Sequence, residues 1–244
     1  MQPVEKFILI HGTFLFALGV ALALFNTAYF GTAYAVEDGV LEWLTVLTLA
    51  SISAITTRRL WCGFGHFNIR QKLVLAALAL LAAFGALEEI SWGQRLFGIT
   101  SPEFFLQNNA QVETNIHNLI INDINFNKTV FAKGILIIFL LYLGVITPLC
   151  RRSPRLRAIA DSWAVPLTKT YHIVGYLVII AAVEGLINLK PDEVFRRGEL
   201  TEFAVPLLVA LNIIFPRNQQ VFEPWKDRSV PESQTHHKNS LAGP

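Results

Sequence analysis

The run from Leu73 to Leu87 is almost pure Leu, Ala and Phe, and it ends in two adjacent carboxylates, Glu88 and Glu89. A run of that length is most of a membrane span. Hydrocarbon offers no water to the backbone, so a chain that enters it must close its own hydrogen bonds, as a helix or a sealed barrel. Ionisable groups there cost roughly 2.5–3.5 kcal/mol each at the bilayer centre, and those that occur are paired or functional.

Comparable runs recur. Of 244 residues, 53% are hydrophobic and 16% charged, with a mean hydropathy of +0.46; a soluble domain is nearer ~25% charged. Hydropathy draws six helical spans, at Phe7–Phe25, Val40–Thr56, Leu73–Ser91, Val130–Cys150, Tyr171–Asn188 and Phe203–Phe215. The last is short and holds Pro206, which predicts a kink. The expected fold is an all-α integral membrane protein, a bundle of about six transmembrane helices in one domain over residues 1–216. Residues 217–244 read as a disordered cytoplasmic tail, rich in Gln, Ser, Pro and Glu. No internal repeat is visible.

Lys and Arg in short loops set the orientation. Arg58, Arg59, Arg70 and Lys72 sit in one loop without an acid, and Arg151, Arg152, Arg155, Arg157 and Lys169 in another against Asp161. Both loops are predicted on the cytoplasmic side of the inner (plasma) membrane, and both termini with them. The inner side then carries fourteen basic and five acidic residues, and the outer side six basic and thirteen acidic. Cys62 and Cys150 fall inside, where thiols stay reduced. Lys6, an apolar core and Ala33-Tyr34-Ala35 have the outline of a signal peptide, but the core is too long and too far from that site, so the first span is expected to stay.

The longest outer connection, residues 93–129, reads as a lid of two short interfacial (periplasmic) helices. Ser101-Pro102-Glu103 has the form of a helix start, and Phe104, Phe105 and Leu106 would lie at headgroup level. A second helix is expected from Ala110 to Leu119, with Val112, Ile116, Leu119 and Ile120 facing the bundle.

Chemistry concentrates on the outer side. If the third span runs on as a helix, Glu88, Ser91, Trp92 and Arg95 share one face, and Arg95 can reach a headgroup or pair with Glu88. Glu113 and His117, at i and i+4 on the expected lid helix, have a spacing that suits a metal. Glu42, Glu184, Glu199 and Glu202 approach the same depth. Convergent acids with His and Arg are the pattern of a cation or metal site, or of a proton relay. The bland reading of each residue is an ion pair that fixes packing, or a solvated lid face. Glu88, Glu89, Ser91 and Arg95 are the candidate catalytic residues, and Glu89, Glu113, His117 and Glu184 the candidate ligands of a divalent metal. The basic loops are explained by orientation and anionic lipid, and no nucleic-acid motif is present.

The segment Glu88-Glu89-Ile90-Ser91-Trp92-Gly93-Gln94-Arg95, followed by Thr100-Ser101-Pro102-Glu103 and Asn115-Ile116-His117-Asn118, resembles a pattern found in uncharacterised bacterial multi-span membrane proteins. The resemblance implies a bacterial inner-membrane protein and no particular activity. Alkaline ceramidase-like hydrolases share the multi-span build, but their zinc-binding histidine set has no counterpart here. The expected function is a metal-dependent enzyme acting on a lipid or lipid-linked substrate at the outer leaflet. A proton- or cation-coupled transporter and a non-catalytic assembly protein are the alternatives.

Overall fold

The computed structural model describes residues 1–36, 39–121, 124–125, 133–187, 196 and 198–225, with the side chains of 124, 125, 133, 135, 136, 184 and 186 left aside. It is mostly helical. The first helix, α1 (Pro3–Phe25), is followed by the single turn α2 (Thr27–Tyr29) and by α3 (Val40–Cys62) and α4 (Ile69–Glu89). Short helices α5 (Gln94–Phe97) and α6 (Glu103–Asn108) come next. A helical stretch then runs through α7 (Lys133–Leu141), a π-turn at Tyr142–Ile146 and α8 (Thr147–Arg152), and turns into α9 (Pro154–Ser162). The last elements are α10 (Thr170–Ile180), with a π-segment at Ala181–Leu186, and α11 (Gly198–Ile214).

Among the described residues, three helices, α1, α3 and α4, are long and apolar enough to cross a membrane. Only 22%, 22% and 28% of their most apolar windows is buried within the protein. Phe7, Phe14, Leu47, Leu73, Leu80 and Leu81 stay exposed. Side chains of this kind left uncovered on several helices would be an aggregation surface in water, and they are the normal exterior of a protein in lipid. Ile137–Arg152 passes the same test only together with α9, from which it is bent by 118°.

The core forms where α3 packs along α4 and α11, with α1 and α10 against α11. Phe16, Leu41, Tyr176, Leu200, Phe203 and Leu211 are buried there. On α1, a Cβ at Gly12 or Gly19 would overlap Leu207 or Leu200. The missing side chains let the two backbones approach, which is how helices associate where no hydrophobic effect drives them together. Helix α11 continues through Pro206. Proline has no N–H to give Glu202's carbonyl, and Thr45 Oγ1 on α3 reaches that oxygen at 3.3 Å.

Two expectations change. Residues 110–119 are turns, not a helix, closed by a bridge between Asn109 and Leu119 and followed by a two-residue ribbon, Ile120–Ile121 against Ile124–Asn125. Asn109 Oδ1 accepts the N–H groups of Gln111 and Glu113 at 2.9 and 3.2 Å, and Asn115 Oδ1 accepts that of Asn118 at 3.2 Å. Those amides offer the backbone an alternative to helical bonds. Of the four apolar residues expected to face the bundle, only Leu119 is buried; Val112, Ile116 and Ile120 are exposed.

The packed region also extends past residue 216. Asn218 is fully buried, accepting from Leu167 N at 2.8 Å and donating to Asp161 at 2.7 Å. Phe222 lies beneath the Arg59 guanidinium, 5.2 Å from its ring centroid. The remainder of the expected tail, 226–244, lies outside the described residues.

Candidate functional site

Helix α4 stops at Glu89, and Ser91, Trp92 and Gly93 all take positive φ, at 47°, 56° and 80°. Glycine does this freely, but for Ser and Trp it costs of order 1–3 kcal/mol each, so surrounding bonds must hold them there. The break overturns the expected single face of Glu88, Ser91, Trp92 and Arg95. It sends each side chain to its own set of partners.

Glu88 turns under the lid. One oxygen accepts from the Trp92 indole at 2.7 Å. The other accepts the backbone N–H groups of Ile116 and His117 at 2.6 and 3.1 Å and lies 3.5 Å from His117 Nδ1. Ser91 is fully buried and donates to Glu113 at 2.5 Å, while Asn115 Nδ2 donates to both, at 2.9 and 3.0 Å. Arg95 does not pair with Glu88. It bridges Glu113, at 2.9 Å, and Glu42 of α3, and it donates to the Glu89 carbonyl at the C-terminal end of α4 at 3.3 Å. A cation suits that end of the helix.

Above this layer is a cavity of about 170 Å³. Five carboxylates line it: Glu42 from α3, Glu89 from α4, Glu113 from the lid, and Glu199 and Glu202 from α11. Facing them are Arg95, His117 and the amides of Gln111 and Asn118. Burial pushes the His117 imidazole down. The Glu88 contact and the nearby Glu89 and Glu202 charges outweigh that, so its pKa lies above the ordinary histidine value. The arrangement can therefore hold a protonated imidazole, steered by one carboxylate, at the edge of a space walled by others.

Of the residues expected to act, Glu89, Arg95, Glu113 and His117 reach the cavity, with Glu42, Glu199 and Glu202. Glu88 and Ser91 are buried at 4% and 0% exposure and serve the lid's own hydrogen bonding. Glu184's side chain is outside the described ones. Both Glu113 oxygens are engaged, by Arg95 and by Ser91 and Asn115. Since residues 110–119 are not helical, the i, i+4 metal pairing of Glu113 and His117 loses its premise. Among the described residues, no group of three or more His, Cys, Asp or Glu is arranged to hold a metal. The lid amides Asn109, Asn115 and Gln94, which donate and accept within this network, carried no distinct signal beyond their density in the sequence. Comparison with protein-family models, with curated proteins and with solved structures finds no match to this chain.

Proposed function

We propose that this is a bacterial inner-membrane protein of six spans, termini cytoplasmic, whose outward-facing pocket performs acid–base chemistry on a lipid or lipid-linked substrate. The observation that carries the reading is His117, held by Glu88 at the rim of a cavity lined by five carboxylates. His117 is the proton donor and Glu89 the proton acceptor. Proton transfer by positioned side chains contributes about 10²–10⁴-fold to a rate. Arg95 and Glu88 are positioning residues, which hold the lid to α3 and α4. The positive-inside imbalance supports the orientation, since the cavity lies at the end of the bundle that the acids occupy. Leu80 and Leu87 of α4 are exposed and give the bundle an apolar surface that a lipid can contact.

The test compares the extracted lipids of cells expressing the wild-type chain, Glu89→Gln or His117→Gln at equal membrane levels. One lipid or lipid-linked species should change with the wild-type chain only. Identical profiles for all three would remove the enzymatic reading. Topology is checked separately: an impermeant thiol reagent should leave the exposed Cys62 unlabelled in sealed cells.

A cation- or proton-coupled carrier is the second reading. It is favoured by the surplus of carboxylates over cations in the cavity and by the π-segments at Tyr142–Ile146 and Ala181–Leu186, a distortion common at functional sites. Proteoliposomes separate the two readings, since a carrier moves its ion down an imposed gradient without altering lipid.

A further inference from the structure

We propose that α9 is an interfacial helix that lies on an anionic lipid leaflet, its exposed apolar face among the acyl chains and its arginines on the headgroup phosphates. The helix begins sharply. Ser153 caps it, accepting from Leu156 N at 3.4 Å, and Pro154 fills the first turn. Its axis is bent 118° from Ile137–Arg152, so it does not continue that helix across a membrane.

Leu156, Ile159 and Trp163 recur at helical spacing and are 37%, 56% and 41% exposed. Ala160, beside them, turns inward to Cys150 and Leu167, so the helix is anchored on the bundle while the rest of its apolar stripe is uncovered. Arg151, Arg152, Arg155 and Arg157 are exposed around it. The nearby acid, Asp161, accepts from Asn218 at 2.7 Å through Oδ1, and its Oδ2 lies 3.9 Å from Arg157 Nε, so it neutralises at most one of the four arginines. An apolar stripe flanked by arginines is the pattern of helices that lie in the headgroup region.

Independent features mark the same level. Lys72 Nζ stands 3.9 Å from the centroid of the exposed Phe64 ring, and the Arg70 guanidinium 5.3 Å from that of Trp163. Trp61 is 84% exposed. Aromatic rings with cations over them belong where hydrocarbon meets headgroups. Ile146 and Leu149 of the preceding helical stretch are exposed as well. Exposed apolar residues on both helical segments select lipid as the occupant, because a protein partner on α9 would have to displace lipid from the segment before it. The arginines select an anionic headgroup, since basic residues near such a surface are attracted to it.

The full chain is placed in lipid nanodiscs with an environment-sensitive fluorophore on Ile159→Cys, in a Cys62→Ser/Cys150→Ala background. Ala158→Cys, also exposed and turned about 100° around α9 from Ile159, is the control. Acyl-chain-brominated phosphatidylcholine should quench the label at 159 several-fold more than the label at 158. Adding phosphatidylglycerol should deepen the quenching at 159, and Arg155→Gln/Arg157→Gln should abolish that increment. Equal quenching of both labels by aqueous iodide, in both bilayers, would overturn the proposal and assign the face to a protein partner. Acyl-chain quenching that ignores phosphatidylglycerol would overturn the anionic recognition.

Discussion

At the basic end of the bundle, Glu5 is fully buried at the start of α1, and its oxygens are taken by Lys169 Nζ at 2.8 and 2.9 Å and by the Tyr171 hydroxyl at 2.5 Å. Arg59 is also buried there, giving its two terminal nitrogens to the Ile213 and Ile214 carbonyls at 2.6 Å each, where α11 ends. At the opposite end Glu88 is nearly as buried and as fully bonded, but next to it five carboxylates open on a cavity. Burial and pairing of charge are thus common to both ends. What separates them is accessible space and an excess of one sign of charge. A buried ion pair by itself is a packing device, and the Glu5 clamp has the look of one that joins the N-terminus to the loop before α10. The acidic end combines the same kind of clamp with a cavity lined by five carboxylates.

Four experiments press on that contrast, taken in order of expected effect on stability. The largest is Glu5→Leu. It strands the Lys169 ammonium in a partly buried site, and about 3 kcal/mol should be lost, the low end of the range for a broken buried pair because some water still reaches Lys169. Thermal unfolding in detergent measures it, and a change below experimental error would mean that the clamp contributes nothing. Next is Arg95→Leu, which leaves Glu42 and Glu113 facing each other without their shared cation. A loss of about 2 kcal/mol is expected, together with faster proteolysis of the lid. If Arg95→Leu is as stable as wild type, the lid is held by its amides alone.

A smaller effect should come from pH. Because the His117 pKa is raised in the fold from the ordinary value of 6.5, the stability it contributes is complete below that value. It is lost as pH rises through the folded-state pKa. Hydrogen exchange at the N–H groups of Ile116 and His117 should therefore speed up from about pH 6.5 upward by more than the chemical trend. That extra acceleration should vanish in His117→Gln, and its persistence there would assign the pH dependence to the carboxylates. Smallest in stability is Glu89→Gln, expected within about 0.5 kcal/mol of wild type, since no hydrogen bond to its side chain anchors the lid. Its effect should fall on function. A folded Glu89→Gln protein with unaltered lipid or ion phenotype would place both ends of the bundle in the same structural class.

Helical membrane character was legible in the sequence because hydropathy is a sum along the chain, and α1, α3 and α4 return it within a few residues at most boundaries. The gathering of Glu42, Glu89, Glu199 and Glu202 was legible for a related reason. Glu42 lies near the start of α3 and Glu199 and Glu202 near the start of α11, while Glu89 ends α4, and a hairpin of α3 and α4 brings the start of one to the level of the end of the other. Partnerships were not legible. Extending α4 through Arg95 gave the wrong pairing for Arg95, because the turn at Ser91–Gly93 departs from helical φ and ψ. Local propensity alone does not force that turn; bonds from a lid more than twenty residues further on hold it. The lid itself was misread as a helix because periodic apolar residues outweighed Asn109, Asn115 and Asn118, whose side chains compete for the backbone.

By itself, then, the sequence determined the solvent this protein lives in, the ends at which its charges collect, and the side chains available for chemistry. These follow from composition and position along a helix, which need no knowledge of distant neighbours. Only the tertiary structure decided that Glu88 would be an anchor and Glu89 a wall of the cavity, although the two are adjacent. A single residue step turns a helical side chain by about 100°, and which direction meets the lid and which meets the cavity depends on where α3, α11 and residues 109–119 have come to rest.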